Sequence, residues 1–317
     1  MNKRISFLWL ILCLVIVSCS AVHKDIKPQF VAEIRPQELA ALPSPFPPLT
    51  ITEMEKDWGK DLRTGVGFAR ELDLYRAITF LKSALFSIPH SELVRRQEIE
   101  YDILLCYYLG KQYKDVIVEY ESGKLGEVTN TFPALQDLLL MVYDSYIQMG
   151  TPEKATWIFS LIESNFPEKA KEIHLSQAVL QAKLDAIIVA SAKDPAREHF
   201  SRLIEDYRSK TKSVDQAQML QAILPGAGYL YVGQRGSAVT SFLLNTLFIA
   251  AAYNFFNHHN IAAGIITTGF EMGWYFGGIY GAGLAAREYN ERLYETYGNK
   301  MLFEERLFPL FMLQYSF

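Results

Sequence analysis

One acidic residue stands in the most apolar part of the chain. Residues 219 to 286 contain two charged side chains, Arg235 and Glu271, and Glu271 falls within an apolar run long enough to cross a bilayer. A carboxylate at the centre of a membrane helix costs at least about 2.5 kcal/mol, so such residues serve proton or substrate chemistry by default. Other interpretations stay open, because Glu271 can be protonated, can pair with Asn245 or Asn254 of the preceding apolar run, or can face a partner.

The other residues with chemical potential form no recognisable active site. His258 and His259 are adjacent, whereas a helical zinc pair stands four residues apart, so we interpret both as polar loop residues. The sequence contains no Gly-x-Ser-x-Gly elbow, and the spacing of its Ser, His and Asp residues marks no triad. We therefore predict no catalytic residues, no metal ion and no cofactor, and expect that the protein is not an enzyme.

Composition argues against two classes of partner. The 31 basic and 35 acidic residues give a net charge of −4, which does not favour nucleic acid. The glycines between Pro225 and Gly236 lack the Gly-Lys-Ser/Thr of a phosphate-binding loop, so we expect no nucleotide. Half of the residues are hydrophobic and 21% are charged, which indicates contact with lipid.

The amino-terminal residues predict export. Lys3 and Arg4 precede an eleven-residue apolar run at residues 7 to 17, as in a secretory signal. The run ends in Ile16-Val17-Ser18-Cys19, which resembles the lipobox of bacterial lipoproteins. The resemblance implies a signal peptide at residues 1 to 18 and a covalent lipid on Cys19. An uncleaved anchor and ordinary cleavage are the alternatives.

Six of the thirteen prolines lie between Ser20 and Trp58, and this stretch shows no sustained period. Proline favours extended polyproline II backbone, so we predict a lipidated, Pro-rich tether over residues 19 to 58. A Pro-rich ligand for a partner protein is the alternative.

Residues 59 to 212 contain an internal repeat. Four apolar or small columns recur at a nearly constant spacing, and they place a small residue, an aromatic or large residue and a further apolar residue on one helix face. The columns are Phe68, Tyr107, Tyr146 and Ile187; Ala77, Val116, Ala155 and Ala196; Leu81, Tyr120, Phe159 and Phe200; and Ala84, Gly123, Ile162 and Leu203. The pattern predicts stacked helical hairpins whose carboxylates lie on solvated faces. An unrelated helical bundle is the alternative.

The third unit carries the clearest family resemblance. It reads Tyr143-x-x-Tyr146-x-x-x-Gly150-x-x-x-x-Ala155-x-x-x-Phe159-x-x-Ile162-x-x-x-x-Pro167, which resembles the tetratricopeptide repeat. The resemblance implies an all-α fold, with a helical-repeat solenoid whose groove binds one or more protein partners.

Two long apolar runs follow. Residues 237 to 257 and 261 to 286 are each long enough to span a bilayer, and they are separated by the polar loop at residues 257 to 260. We predict a transmembrane helical hairpin in a module at residues 213 to 290, with a buried hairpin of a soluble domain as the alternative. The second run has glycine at four-residue intervals, a stripe for close helix packing. Its members are Gly269, Gly273, Gly277 and Gly281.

A short motif precedes the hairpin. Pro225, Gly226, Gly228, Tyr231 and Gly233 resemble the Pro-Gly-x-Gly opening of small bacterial membrane modules of unknown function. The resemblance implies a broken amphipathic segment ahead of two hydrophobic helices. Proline and glycine break the preceding helix, and a tyrosine suits the lipid headgroup interface.

Residues 291 to 317 form an amphipathic to apolar tail that ends Tyr315-Ser316-Phe317. A terminal phenylalanine with an aromatic residue two positions earlier resembles the closing strand of outer-membrane barrels. The alternative is a tail packed along the hairpin or the membrane surface.

Charge and export signals conflict over the membrane. Lys and Arg flank the outer ends of the hairpin, which in an inner membrane would place both ends in the cytoplasm. The export signal places them in the periplasm instead, so an outer-membrane hairpin is favoured over an inner-membrane one. Together these features predict a membrane-anchored protein-binding scaffold of the bacterial envelope with periplasmic repeats. A transport or enzyme component using Glu271 is the alternative, and a purely structural anchor is a third.

Overall fold

A computed structural model of the chain describes residues 22–192 and 197–317, and these residues form helices and no β-strand. The predicted signal peptide at residues 1 to 18, the lipidation residue Cys19 and the repeat residue Ala196 lie outside the described residues. The described chain divides into two compact units. We call Phe30–Val179 with Lys300–Phe317 the repeat unit, and residues 22–29 with Leu180–Asn299 the apolar unit.

In the repeat unit, each helix packs against its neighbours in chain order from the second to the eighth. The helices are α1 (Pro36–Ala40), α2 (Ile51–Glu55), α3 (Asp57–Arg70), α4 (Leu74–Ser87), α5 (Leu93–Leu109), α6 (Tyr113–Ser122), α7 (Leu135–Gln148), α8 (Pro152–Asn165) and α9 (Pro167–Leu180). Side-chain caps begin several of them. Thr50 and Glu53 form a capping box at α2, Asp73 caps α4, and Pro152 stands in the first turn of α8.

One turn recurs between the helices of successive pairs. Leu72, Lys111 and Gly150 are evenly spaced along the sequence and all adopt left-handed backbone, with φ of 59°, 57° and 69°. The next residue in each case donates its N–H to a carbonyl five residues earlier. These bonds run from Asp73 to Phe68, from Gln112 to Tyr107 and from Thr151 to Tyr146. Such turns satisfy the last carbonyls of a helix and reverse the chain.

The predicted columns of the first three units face inward. The small-residue column, Ala77, Val116 and Ala155, is buried, and every other column residue in those units is buried or half-buried. The even spacing of the columns therefore marks three structurally matched helix pairs.

The fourth unit differs from the predicted register. Its left-handed residue is Ala182, at φ 53°, which follows Gly150 at a shorter interval than the one between Lys111 and Gly150. Ile187 follows that turn by five residues, as Ala155 follows Gly150, so Ile187 and not Ala196 takes the Ala155 position. The sequence pattern predicts a slightly longer spacing for the fourth unit, and that spacing leads to Phe200 and Leu203 of the next helix, α11. Helical periodicity alone does not show which of two successive apolar helices belongs to a repeat.

Two substitutions test the recurring turn. Left-handed backbone costs a residue with a side chain roughly 1 kcal/mol, and glycine avoids that cost. We expect Lys111→Gly to raise the free energy of unfolding by about 0.5–1 kcal/mol and Gly150→Ala to lower it by about 1 kcal/mol. Thermal unfolding of the purified chain in detergent, followed by circular dichroism, measures both.

The matched control is Gly67→Ala. Gly67 lies inside α3, where an added Cβ meets no heavy atom within 4 Å, so alanine there should raise stability through helix propensity. Equal stability of Gly150→Ala and the wild type would contradict the left-handed turn.

The predicted tether is packed rather than free over its described part. Phe46 is buried with its ring centroid 5.7 Å from that of Tyr101 and 5.8 Å from that of Phe132. Arg95 of α5 donates hydrogen bonds to the Pro47 carbonyl at 2.6 Å and to the Pro48 carbonyl at 3.0 Å. The proline content predicts extended backbone, and an extended segment can pack against the repeat helices as well as extend freely into solvent. Residues 30–58 therefore belong to the repeat unit.

The apolar unit has its own core. It contains α10 (Leu184–Ser191), α11 (His199–Lys210), α12 (Val214–Ile223), α13 (Ala227–Tyr231), α14 (Arg235–Asn257) and α15 (Ile261–Glu304). A cluster of buried Val and Ala side chains packs α12, the residue after α13 and the middle of α15 against Val22. Its members are Val22, Val214, Ala217, Val232, Ala285 and Ala286.

Among the described residues, one helix is long and apolar enough to cross a membrane, and it is α14. Only 17% of its apolar window is buried. The predicted second span, residues 261 to 286, is part of the 44-residue helix α15.

Candidate functional site

The motif ahead of α14 forms a tight double turn. Pro225 and Gly226 separate α12 from α13, and Gly226 has φ 96°. A Cβ on Gly226 would overlap the carbonyl oxygen of Ala238. The Gly226 N–H donates to the buried Gln221 side chain at 2.9 Å, and the amide nitrogen of Gln221 donates to Ser241 at 2.8 Å. The turn is thereby hydrogen-bonded to α14.

The other motif residues have separate structural roles. Gly228 lies where a Cβ would overlap the Ala217 carbonyl oxygen and come within 2.8 Å of Ala282 Cβ, so α13 packs with its backbone against α12 and α15. Gly233 ends α13 with φ 84°. The Tyr231 hydroxyl accepts a hydrogen bond, at 3.2 Å, from the N-cap residue of α12. All five predicted motif residues are therefore part of one compact turn.

Glu271 lies on the face of α15 that meets α14. Gly264 and Gly278 stand seven residues on either side of it, and seven residues make two helical turns, so the three share a face. A Cβ on Gly264 would come within 2.7 Å of the Phe256 ring of α14, and one on Gly278 would lie 3.1 Å from Gln221 Nε2 of α12 and 3.9 Å from Ser241 Oγ of α14. Glu271 therefore shares a helix face that contacts α14 near Gly264 and both α12 and α14 near Gly278.

In the apolar parts of these helices, residues 237–257 and 261–286, two buried polar atoms have no hydrogen-bond partner among the described residues. Glu271 Oε2 and the buried Asn245 Oδ1 are enclosed and accept no hydrogen bond from any residue that the structure describes. The Asn245 amide nitrogen donates to the Ser241 carbonyl at 2.6 Å. Buried polar atoms are almost always hydrogen-bonded, so these two unpaired oxygens are exceptions within the helix pair.

The glycine stripe is divided by the structure. A Cβ on Gly269, Gly273 or Gly277 would meet no atom within 4 Å, whereas one on Gly281 would overlap the Tyr229 hydroxyl. Gly273 and Gly277 instead line an uncharged crevice of about 470 Å³ between α14 and α15. The other lining residues are Tyr229, Ser237, Thr240, Ser241, Trp274 and Gly278.

His258 and His259 lie at the turn between α14 and α15. His258 follows the last residue of α14, with Nδ1 2.9 Å from the Asn254 carbonyl oxygen, and His259 has φ 58°. No group of three or more metal-ligating side chains occurs among the residues that the structure describes.

The tail occupies a groove in the repeat unit. The N–H groups of Gln314 and Tyr315 both donate to Asp137 Oδ2, at 2.8 Å and 2.9 Å, and Asp137 is fully buried on α7. Arg70 of α3 donates to the Phe317 carbonyl oxygen at 2.8 Å. The predicted barrel strand and the predicted packing along the hairpin therefore both differ from the structure, in which the tail packs on the repeat helices.

The Pro-rich segment forms the opposite wall of this groove. The Ser316 N–H donates to the Pro43 carbonyl at 3.0 Å, and the side chains of Met312, Leu313 and Phe317 are buried. Two cavities adjoin the tail. One of about 310 Å³ is lined by Leu310 and Phe311, and one of about 350 Å³ is lined by Phe317 together with α3 and the Pro-rich segment.

The buried carboxyl groups of α5 and α7 include those of Asp137, Glu98 and Asp102. Burial raises the pKa of Asp137 to about 6, although the two tail N–H groups lower it. On α5, burial also raises the pKa of Glu98 and of Asp102, and the Arg95 guanidinium beside Glu98 opposes that rise. These carboxylates were predicted to be solvated. They are buried because α5 and α7 are enclosed on several sides by their neighbours.

Comparisons with protein-family models, with curated proteins and with solved structures found no match.

Sequence reasoning missed Asp137, Arg70 and the tail contact. The available signal was the Leu-Gln-Asp-Leu-Leu-Leu start of α7, where one acid is surrounded by residues too apolar for a solvated face. Such an acid needs a hydrogen-bond donor, and its donors lie 177 and 178 residues further along the chain.

Proposed function

We propose that this chain is a membrane-anchored scaffold of the bacterial envelope, in which a tetratricopeptide-like solenoid binds protein and a transmembrane hairpin holds it at the membrane. The recurring left-handed turn and the buried columns support the solenoid. The repeats present the binding surface on the periplasmic side, and an outer-membrane location is favoured over the inner membrane.

The observation that carries protein binding is a set of exposed apolar side chains on the second helices of the repeat pairs. Phe86 on α4 is 94% exposed, Trp157 on α8 is 55% exposed, and Tyr75 and Val118 are exposed as well. Val118 and Trp157 each stand seven residues after their turn, at matching positions of neighbouring pairs. Exposed aromatic residues on a folded surface are typical of protein interfaces.

Exposed apolar residues on α14 and α15 support the membrane hairpin. Leu247, Tyr253, Ile265 and Phe270 are each more than half exposed, in segments where charged residues are nearly absent. A soluble surface does not tolerate such a continuous apolar belt, whereas lipid covers it.

The second anchor is the lipid proposed on Cys19. Val22, three residues later, packs in the same cluster as Val232 and Ala285 at the base of the hairpin. The Lys27 and Gln29 N–H groups donate to carboxylates of α15, at 3.0 Å and 2.8 Å. A lipid on Cys19 would therefore enter the membrane beside the hairpin, which is consistent with a single membrane surface.

A membrane transport or enzyme component is the second candidate. The observation that favours it is Glu271 Oε2, which is enclosed without a hydrogen-bond partner among the described residues. In that function the carboxylate itself is required, whereas a scaffold requires the surface of the repeats.

The test is a pull-down from detergent-solubilised envelopes after cross-linking in cells. An epitope inserted between the exposed residues His90 and Ser91 leaves the tail undisturbed. We expect partner proteins to co-purify with the wild type, and Phe86→Ser combined with Trp157→Ser to remove at least about nine-tenths of them, because hot-spot residues dominate interfaces. Glu271→Gln is the matched variant of the second candidate and should retain the partners.

The outcomes separate the two functions. A chain that purifies alone would contradict the scaffold. Loss of cellular function in Glu271→Gln at normal abundance, with partners retained, would favour the transport or enzyme function. Mass spectrometry of the same purified material reads the amino terminus, where an unmodified Cys19 would contradict the lipid anchor.

A further inference from the structure

We propose that the groove around Asp137 is a peptide-binding site, which takes an extended segment of another protein with an aromatic residue in the Phe317 position, and that the tail occupies it in cis. The inference rests on the proposed protein-binding function and assigns a site and a ligand chemistry to it.

The groove contacts the main chain of its occupant. Five hydrogen bonds hold residues 314–317, and four of them involve backbone atoms of the tail: two N–H groups donate to Asp137, one N–H donates to the Pro43 carbonyl, and the Phe317 main-chain oxygen accepts from Arg70. The fifth runs from the Ser316 hydroxyl to the Leu42 carbonyl, at 3.5 Å. Recognition of this kind admits any extended segment whose side chains fit, as in other peptide-binding domains that bind backbone for affinity.

Side-chain pockets define which segments fit. Met312, Leu313 and Phe317 are buried, and the Ser316 side chain is enclosed as well, whereas Gln314 is exposed. The preferred ligand thus has two consecutive apolar residues, a free position, a half-buried position, a small residue and an aromatic residue. Tyr315 occupies the half-buried position.

The groove is larger than the tail. The cavities of about 310 Å³ and about 350 Å³ lie at the two ends of the docked segment, beside Phe311 and beside Phe317. A longer peptide could fill them and gain apolar contacts that the tail does not make.

One oxygen of the Asp137 carboxyl group has no hydrogen-bond partner among the described residues. Asp137 is fully buried, and its Oδ1 has no hydrogen-bond partner in the described part of the chain although Oδ2 accepts two bonds. A ligand with a further donor at this point would satisfy an atom that the tail leaves unpaired, which gives a partner in trans an advantage over the tail.

The experiment titrates the full-length chain in detergent with a fluorescent synthetic peptide of the sequence Phe-Pro-Leu-Phe-Met-Leu-Gln-Tyr-Ser-Phe, residues 308–317. Because the tail competes in cis, the wild type should bind weakly, and Phe317→Ala in the chain should bind the peptide about tenfold tighter, a change of about 1.4 kcal/mol. Leu93→Ala, which removes an exposed apolar side chain at the start of α5, is the control and should bind as the wild type does.

Two modifications test the backbone contacts. A peptide methylated on the amide nitrogens of its Gln and Tyr residues cannot donate to Asp137, so we expect its affinity for the Phe317→Ala chain to fall at least about tenfold. Asp137→Leu in that chain should lose binding to the same extent, whereas Asp137→Asn retains an acceptor oxygen and should bind within about threefold.

Equal binding of the methylated and unmodified peptides would overturn the proposal, and so would the absence of peptide binding to the Phe317→Ala chain. The pull-down keeps the two proposals distinguishable. Partners retained by Asp137→Leu but lost by the Phe86 and Trp157 variant would leave the scaffold intact and overturn the groove as the partner site. Peptide binding without any co-purified partner would support the groove and contradict the scaffold.

Discussion

Gly228→Ala is expected to lower the free energy of unfolding of the apolar unit by about 3 kcal/mol, near the upper end of overpacking costs. The added Cβ overlaps the Ala217 carbonyl oxygen and comes within 2.8 Å of both Ala282 Cβ and Gln221 Cβ. Backbone and β-carbon positions cannot rotate away as a long side chain can. Helix α13 must therefore shift away from α12 and α15.

The matched control is Gly236→Ala in the first turn of α14, where an added Cβ meets no heavy atom within 4 Å. Alanine is the better helix former, so this variant should be neutral or more stable by about 0.5 kcal/mol. Fluorescence of Trp274, on α15, reports thermal unfolding of the apolar unit in detergent, in a Trp9→Phe, Trp58→Phe, Trp157→Phe background that removes the other tryptophans. Equal midpoints for the two variants would contradict the close packing of α13.

The motif at residues 225–233 was predictable from the sequence in its position but not in its contacts. Proline and glycine predict a broken helix ahead of an apolar run, and the structure places that break at Pro225 and Gly226. Gly226 is required by its contact with Ala238, and Gly228 by its contacts with Ala217 and Ala282. These contacts depend on how separate helices pack against one another, which the periodicity of the sequence does not specify.

The repeats show the same limit in a different form. An even spacing of the columns predicts the first three helix pairs, since the same residue types recur at the same positions of the turn and of the second helix. The fourth pair is shorter because α9 begins at Pro167, directly after α8 ends at Asn165. Apolar residues of α11 happen to have the column spacing, so the sequence pattern predicts Ala196 in the small-residue column in place of Ile187.

The tail groove could not be predicted from composition. Asp137 looks like one acid in an amphipathic helix, and its partners Gln314 and Tyr315 look like the end of an apolar tail. Only the tertiary structure brings them within hydrogen-bond distance, and the burial that results is what alters the chemistry of the carboxyl group.

Asp137→Asn is expected to flatten the pH dependence of stability of the repeat unit between about pH 4 and pH 6. Burial raises the pKa of Asp137 from 3.8 to about 6 in the folded chain. The folded state therefore binds the proton more tightly than the unfolded state does. The stabilisation from that proton is complete below about pH 4 and is lost as the pH rises through about 6, which amounts to roughly 3 kcal/mol at about 1.36 kcal/mol per pKa unit.

Asparagine keeps an oxygen for the two tail N–H groups and removes the titration. Asp137→Leu removes the acceptor and leaves two N–H groups unpaired, so it should destabilise the unit by about 2–4 kcal/mol at pH 4, where the wild-type carboxyl group is protonated. The difference should shrink by roughly 3 kcal/mol towards pH 7, because only the wild type loses the stabilisation from the proton. Other buried acids of the repeat unit, including Glu98, Asp102 and Asp144, add their own pH dependence. The difference between the wild type and Asp137→Asn isolates the contribution of Asp137.

The measurement is urea unfolding of the full chain in detergent from about pH 4 to pH 7, with Trp58 as the buried probe in a Trp274→Phe, Trp157→Phe background. Asp57→Asn removes the same charge from an exposed side chain and is the control for net charge. If Asp137→Asn keeps the wild-type slope, the carboxyl group is not enclosed by the tail. If Asp137→Leu matches the wild type at pH 4, the two tail N–H groups find other acceptors, and the groove does not hold its occupant through this carboxyl group.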